Sequence, residues 1–205
     1  LFDGSEKSRR NMKYGGQRMK TALVYLNDVV AGGGTKFTKL NLEVNAEKRK
    51  LLVFENVHSG TNKRHELSEH AGMPVIEGEK WAFNLWFREE SRKKLYDYDK
   101  ELSLHLNPYQ NIEKLEAKEI SLANEIKTYQ CVLTSDDMLK IIMNCNFEEK
   151  ERSTVWINRE RIPEIIQKIE ELVKIDKAYF ESLCITKYKP KVVSIKDPKA
   201  FKLFN

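Results

Sequence analysis

His70 and Lys80 stand ten positions apart in HAGMPVIEGEKWAFNLW (70–86), in a chain with only 4 histidines. Both residue types can serve one site. A neutral imidazole is a good ligand for Fe(II). A lysine ammonium inside a β-barrel is costly unless something anionic meets it, and a carboxylate-bearing co-substrate would be that anion. Pro74 and the Glu77–Gly78 turn interrupt the stretch, so the two residues are not on one unbroken strand. Separate strands could bring both to one barrel mouth. The same spacing is satisfied by a loop histidine and an outward lysine on a half-buried strand, and spacing alone leaves both arrangements open. Hydrolytic alternatives have no support, because the chain contains no GxSxG, no HExxH and no paired cysteine–histidine unit.

The elements that must position these residues change character near residue 90. TALVYLND (21–28), KLLVFEN (50–56) and MPVIEGEKWAFNLWFRE (73–89) read as strands, and LNLEVNAE (40–47) alternates weakly. The three glycines of VVAGGGTKF (29–37) favour a tight turn or a close backbone approach. Short strands joined by glycine-rich turns predict an antiparallel barrel or jelly roll. Residues 1–20 and 58–72 read as polar loops, and the charged run 89–110, ending in NPYQ, as a linker. Residues 112–129 carry an imperfect helical pattern. SDDMLKIIMNCNF (135–147) predicts a helix capped by Ser135, with Leu139, Ile142 and Met143 as its apolar stripe. IPEIIQKIEELVKI (162–175) is the strongest helix, with Pro163 in its first turn and Ile165, Ile166, Ile169, Leu172 and Val173 on one side. SLCITKYKP (182–190) reads as a strand stopped by Pro190.

Composition bounds the rest. The chain has 205 residues, 40% hydrophobic and 33% charged, which suits a soluble globular protein of one medium domain, or a small domain with an appendage. No apolar run approaches the length of a membrane span. A formal charge of +5 permits an acidic partner, but no Arg/Lys stripe with interleaved aromatics points to nucleic acid. Cys131, Cys145 and Cys184, an odd count at wide spacing, fit buried thiols in a reducing, cytoplasmic setting.

GQRMKTALVYLNDVVAGGGTKF (16–37), LNLEV (40–44), LLVFEN (51–56) and HAGMPVIEGEKWAFNLWFRE (70–89) together resemble the iron- and 2-oxoglutarate-dependent dioxygenases, particularly the prolyl 4-hydroxylase catalytic domain. Their order and spacing match the C-terminal half of that family's double-stranded β-helix. The resemblance implies a β-rich, mixed α+β fold of jelly-roll type with supporting helices. It implies His70 as a metal ligand and Lys80 as the partner of the far carboxylate of 2-oxoglutarate. Tyr25 and Thr35 would line the co-substrate pocket, and Arg18 and Trp86 the peptide side. Simple barrel packing for Tyr25 and Trp86, and a surface salt bridge for Arg18, stay open beside those roles. Gly34 departs from the family, which often holds an acidic residue there. The implied cofactors are Fe(II) and 2-oxoglutarate, with ascorbate as a reductant. The implied reaction hydroxylates peptidyl proline with O₂ and releases succinate and CO₂. Two other readings are a non-catalytic protein-binding module of the same fold, and an oxygenase acting on another amino acid or a small metabolite.

A facial triad needs two histidines and one carboxylate, and no HxD occurs in the chain. In the family that pair precedes a phenylalanine-containing loop leading to GQR. The loop here starts at LFDG (1–4), which places the expected HxD upstream of Leu1. Residues 131–147, 161–175 and 183–190 resemble the N-terminal half of the same fold, and their register puts Asp197 and Lys199 where its metal pair would stand. The expected organisation is therefore the end of one dioxygenase domain (1–90), a charged linker or helix (91–130) and the start of a second, degenerate domain (131–205). A helical cap on the first domain is the alternative.

Overall fold

A computed structural model of the chain describes residues 15–91 and 117–190 apart from Asn124, together with Glu6, Met12 and Lys13. Most of the expected N-terminal loop and linker, and Asp197 and Lys199, lie outside the described residues.

The first part of the chain forms β1 (Arg18–Tyr25), β2 (Ala31–Gly32), β3 (Thr35–Phe37), β4 (Leu42–Val44), β5 (Leu51–Glu55), β6 (His70–Gly72), β7 (Val75–Glu77) and β8 (Lys80–Arg88). The second part adds β9 (Lys118–Ala123), β10 (Ile126–Gln130), α1 (Ser135–Met143), β11 (Arg152–Ile157), α2 (Pro163–Val173) and β12 (Leu183–Tyr188). Seven strands form one antiparallel sheet in the order β11-β12-β8-β1-β5-β10-β9. A three-stranded sheet, β4-β3-β6, and the pair β2-β7 complete the β structure of the described residues. The fold is thus β-rich and mixed α+β. Among the described residues no helix is long and apolar enough to cross a membrane.

The central strands are apolar at both parities because both faces of the large sheet are covered. Ala22 and Val24 of β1, Leu51 and Val53 of β5, and Phe83, Leu85 and Phe87 of β8 face one core, against Ile165, Ile166 and Ile169 of α2. The alternate residues, Leu23, Tyr25, Leu52, Phe54 and Ala82, face a second core that also holds Phe37 and Val44 of the small sheet. This second core carries the candidate site. The large sheet runs across residue 90, since β8 pairs with β1 on one side and β12 on the other. Gly32 shows why glycine recurs in the 29–37 turn. Its φ is +74°, and a Cβ there would lie 2.2 Å from the carbonyl oxygen of Pro74.

Several local expectations need correction. Residues 112–129 do not form the expected helix where they are described, because β9 and β10 occupy 118–130. Ile126 and Thr128 alternate inward with Lys127 outward, a period of two, and Lys127 meets Glu119 across the hairpin at 2.6 Å. Strand β11 had no counterpart among the expected elements. The cap of α1 is Thr134, not Ser135. The Thr134 hydroxyl accepts the Asp137 N–H and the Asp137 carboxylate accepts the Thr134 N–H. The buried stripe of α1 is Met138 and Ile141, while Leu139 and Met143 are exposed. Asp137 also takes a hydrogen bond from Lys168 of α2 at 2.6 Å. Burial pushes its carboxyl upward, but the Lys168 and Thr134 hydrogen bonds outweigh that and hold it below the usual carboxylate range. Of the cysteines only Cys184 is buried, and Cys131 is exposed.

Candidate functional site

Lys80 is the first residue of β8 and points into the second core, where it is 6% exposed. Its ammonium lies 5.2 Å from the ring centre of Tyr25 and 5.5 Å from that of Tyr188, its cross-strand neighbour on β12. No carboxylate or hydrogen-bond acceptor partners it among the described residues, and burial pushes its pKa down to about 8. Tyr25 ends β1, and its hydroxyl shares a 2.7 Å hydrogen bond with Thr35 at the start of β3. Burial pushes the Tyr25 phenol up to about 12, so it stays neutral. Lys80, Tyr25, Thr35 and Tyr188 therefore form a cluster that sets a buried ammonium among aromatic rings and a hydroxyl pair.

His70 begins β6 and pairs with Phe37 of β3. Its Nδ1 lies 2.7 Å from the carbonyl oxygen of Ser68. A carbonyl only accepts, so Nδ1 carries the proton and the Nε2 lone pair is free. A metal-ligating histidine is commonly held this way, with the far nitrogen fixing tautomer and ring orientation. The ring packs against Phe54 (4.6 Å) and Phe37 (5.9 Å), both of the Tyr25 core. It opens on a cavity of about 320 Å³ lined also by Arg18, Thr21, Asn56, Arg64 and Trp86.

Arg18 lies flat on Trp86, its guanidinium carbon 3.7 Å from the ring centre, and its Nε is 3.4 Å from Glu181. Glu181 is buried, takes a second hydrogen bond from Arg88, and donates its backbone N–H to the Trp86 carbonyl (2.9 Å). Arg18 thus has both a carboxylate partner and an aromatic one.

The six residues singled out from the sequence fall into two groups. His70, Arg18 and Trp86 line the cavity, and Lys80, Tyr25 and Thr35 are buried together in the second core. Phe54 and Phe37 connect the groups. Sequence reasoning missed Tyr188, Glu181, Thr21 and Asn56. The last two exchange hydrogen bonds at 2.9 and 3.2 Å at the cavity wall. Tyr188 and Glu181 come from the segment assigned to a different half-domain, so only the β8–β12 pairing brings them in. His65 is buried and bound through Nε2 to Glu125 at 2.7 Å. Among the described residues no group of three or more His, Cys, Asp or Glu could hold a metal ion.

Residues 3–88 match the model of the 2OG-Fe(II) oxygenase superfamily. Over 87 residues the chain is 45% identical to a protein of Acanthamoeba polyphaga mimivirus assigned as a prolyl 4-hydroxylase, covering 42% of this chain and 36% of that protein. It is 41% identical over 75 residues to human prolyl 4-hydroxylase subunit alpha-3, covering 36% of this chain and 13% of that subunit. With prolyl 4-hydroxylase 2 of Arabidopsis thaliana it shares 31% identity over 110 residues, 43% of this chain and 36% of that enzyme. The chain thus spans 36% or less of the length of each of these relatives.

Proposed function

Because residues 3–88 belong to the 2OG-Fe(II) oxygenase superfamily and are prolyl 4-hydroxylase-like, we propose that this chain carries the co-substrate side and one metal ligand of a peptidyl-proline hydroxylase. The observation that carries this reading is Lys80, a buried ammonium with no anionic partner among the described residues, walled by Tyr25 and Tyr188. A buried charge is retained at such cost where a ligand supplies the counter-charge. The far carboxylate of 2-oxoglutarate has the right charge, and Lys80 would hold it by a charge-assisted hydrogen bond beside the Tyr25–Thr35 hydroxyl pair. His70 fits a metal-ligand role through its free Nε2. The other two ligands are expected from an HxD pair, which the described residues do not contain.

When bound, iron(II) and 2-oxoglutarate supply the oxidation of a substrate C–H bond by O₂, with succinate and CO₂ released and ascorbate as the expected reductant. The residues of this chain do the positioning. Lys80 orients the co-substrate by its far end, and the apolar wall of Phe54 and Phe37 keeps water from the inner side of His70. Arg18 and Trp86, steadied by Glu181, form the side of the cavity where a peptide would enter. The pairing of β12 with β8 supports a β-helix in which residues 117–190 complete the same unit as residues 15–91, rather than opening a second one.

Titration calorimetry with 2-oxoglutarate tests the reading. The anion needs a protonated Lys80, whose pKa in the free protein is about 8. Affinity is expected to hold steady from pH 6.5 to 7.5 and then to fall about tenfold for each pH unit above 8, as the competent fraction falls. Absent binding, or binding indifferent to pH up to 9.5, overturns it. In the enzyme with its full ligand set, His70→Ala is expected to abolish iron-dependent turnover. Turnover at the parent level would refute the ligand assignment.

A further inference from the structure

Of residues 58–67, only His65 is buried. The polar loop before β6 therefore has a single inward side-chain anchor. Its Nε2 lies 2.7 Å from a carboxylate oxygen of Glu125, in the turn between β9 and β10. A carboxylate accepts, so Nε2 carries the proton. Nδ1 is buried and has no hydrogen-bond partner among the described residues. An imidazole bonded at one nitrogen only carries a desolvation cost that an apolar anchor would avoid. What histidine adds at this position is one directed bond to the second segment of the chain. The ring of His58 packs on it, with centres 4.4 Å apart, and is itself held to Glu66 at 3.1 Å. Glu125 is fixed in turn. Its backbone is left-handed, with φ +64°, and its carbonyl accepts the Glu55 N–H of β5 (3.3 Å). A non-glycine residue keeps that conformation where its surroundings over-determine it.

We infer that His65 and Glu125 are positioning residues for His70, a clasp by which residues 117–190 fix the presentation of the candidate metal ligand. The inference rests on the reading of His70 as a ligand and deepens it. The path from Glu125 to His70 is short and continuous. The His65 carbonyl accepts both the backbone N–H (3.1 Å) and the hydroxyl (2.8 Å) of Ser68. These bonds close the 3₁₀ turn Glu66–Ser68. The carbonyl of Ser68, the last residue of that turn, takes the His70 Nδ1 proton at 2.7 Å. Backbone bonds tether the turn at its two ends, from the His65 N–H to the Asn56 carbonyl (3.0 Å) and from the Thr38 N–H to the Glu69 carbonyl (3.1 Å). The His65 side chain sets how the turn is rolled between those tethers, and so where the Ser68 carbonyl aims. An imidazole protonated on Nε2 has no lone pair there for a metal, so the clasp guards the ligating tautomer. Glu125 lies outside residues 3–88, which match the family, so this support comes from the chain's second segment.

The test is the long-range proton–nitrogen NMR spectrum of the histidine rings in the 205-residue chain, recorded at about pH 8.5, above the usual histidine range. Such a spectrum reads which ring nitrogen carries the proton. His70 is assigned by the signals lost in His70→Ala, and the parent is expected to show it protonated on Nδ1. Glu125→Gly removes the carboxylate and suits the left-handed backbone, so the fold is retained. It is expected to lower the ratio of the Nδ1–H to the Nε2–H tautomer of His70 roughly three- to tenfold, the worth of one hydrogen bond. Glu125→Gln keeps an oxygen acceptor for His65 and is expected to hold the parent ratio. Glu119→Ala breaks the exposed pair with Lys127 on the same hairpin and is expected to leave His70 unchanged. An unchanged His70 tautomer in Glu125→Gly overturns the inference. An equal shift in Glu125→Gln or in Glu119→Ala does the same, since it would trace the effect to a looser hairpin and not to the acceptor. The ligand reading fails separately, through turnover that survives His70→Ala in the enzyme with its full ligand set. A tautomer shift confined to Glu125→Gly would still establish the clasp.

Discussion

Replacing Lys80 with methionine is expected to weaken 2-oxoglutarate binding by at least about 30-fold while making the free protein more stable. The two effects have one cause. In the free protein the ammonium is buried between Tyr25 and Tyr188 with no counter-charge among the described residues. Methionine keeps the length of the stem and removes the charge. Truncating one member of a buried charge pair costs about 2–5 kcal/mol of binding, which sets the lower bound on the loss. The free protein is relieved of an unpaired charge. The Lys80 pKa lies near 8 when folded and near 10.5 when unfolded. The unfolded chain therefore binds more protons between those values, and folding stability rises with pH across that window. Below pH 8 the full penalty is present, on the order of 3 kcal/mol. The stability advantage of Lys80→Met should be largest at pH 7 and shrink toward pH 10.5. Urea unfolding of both proteins at pH 7, 9 and 10 reads the difference and cancels titrations common to both. A methionine variant less stable than its parent would refute the unpaired charge. Unchanged 2-oxoglutarate affinity would refute the site.

Phe180→Ala is expected to lower the stability of residues 15–91 and 117–190 together, by about 3–5 kcal/mol. Phe180 is fully buried, stacks edge-on against Phe87 with ring centres 4.5 Å apart, and forms a backbone bridge to it. It lies in the core where Val24, Leu85 and Phe87 meet Ile165 and Ile169. If the two segments fold as one unit, the cavity is felt by both. Trp81 and Trp86 report on the first segment and Trp156 on the second. Thermal unfolding in a Trp156→Phe background, where only Trp81 and Trp86 emit, should show a single transition lowered by roughly 10 °C. A Trp81/Trp86 transition that does not move would show that residues 15–91 fold without the second segment, as separate half-domains would.

Legibility in the sequence followed the range of the interactions. Strand β8, helix α2 and strand β12 announced themselves because burial alone dictates their patterns: aromatic residues at both parities of a central strand, isoleucines on one side of a helix behind Pro163, and a β run ending before Pro190. Residues 118–130 did not, because a hairpin at the sheet edge buries few residues and its charged positions mimic a polar helix face. Leu139 and Met143 misled in the opposite direction. They are apolar and helically spaced, yet the sheet contacts Met138 and Ile141 instead, and the rotation of a helix about its axis is set by its neighbours.

For the site, residue type by itself determined the chemistry on offer: an imidazole that can ligate iron and an ammonium that, if buried, demands an anion. Whether Lys80 was buried, whether His70 kept Nε2 free and what stood around them were decided by tertiary structure. Lys80 is buried because β12 lies beside β8 and brings Tyr188 over it. His70 presents Nε2 because the turn before β6 offers it the Ser68 carbonyl. Arg18 is oriented because Glu181, 163 positions away in the chain, is clamped to the backbone of Trp86. Each of these partners acts through strand pairing or packing across the fold, and such contacts leave no periodicity in the local sequence from which they could be read.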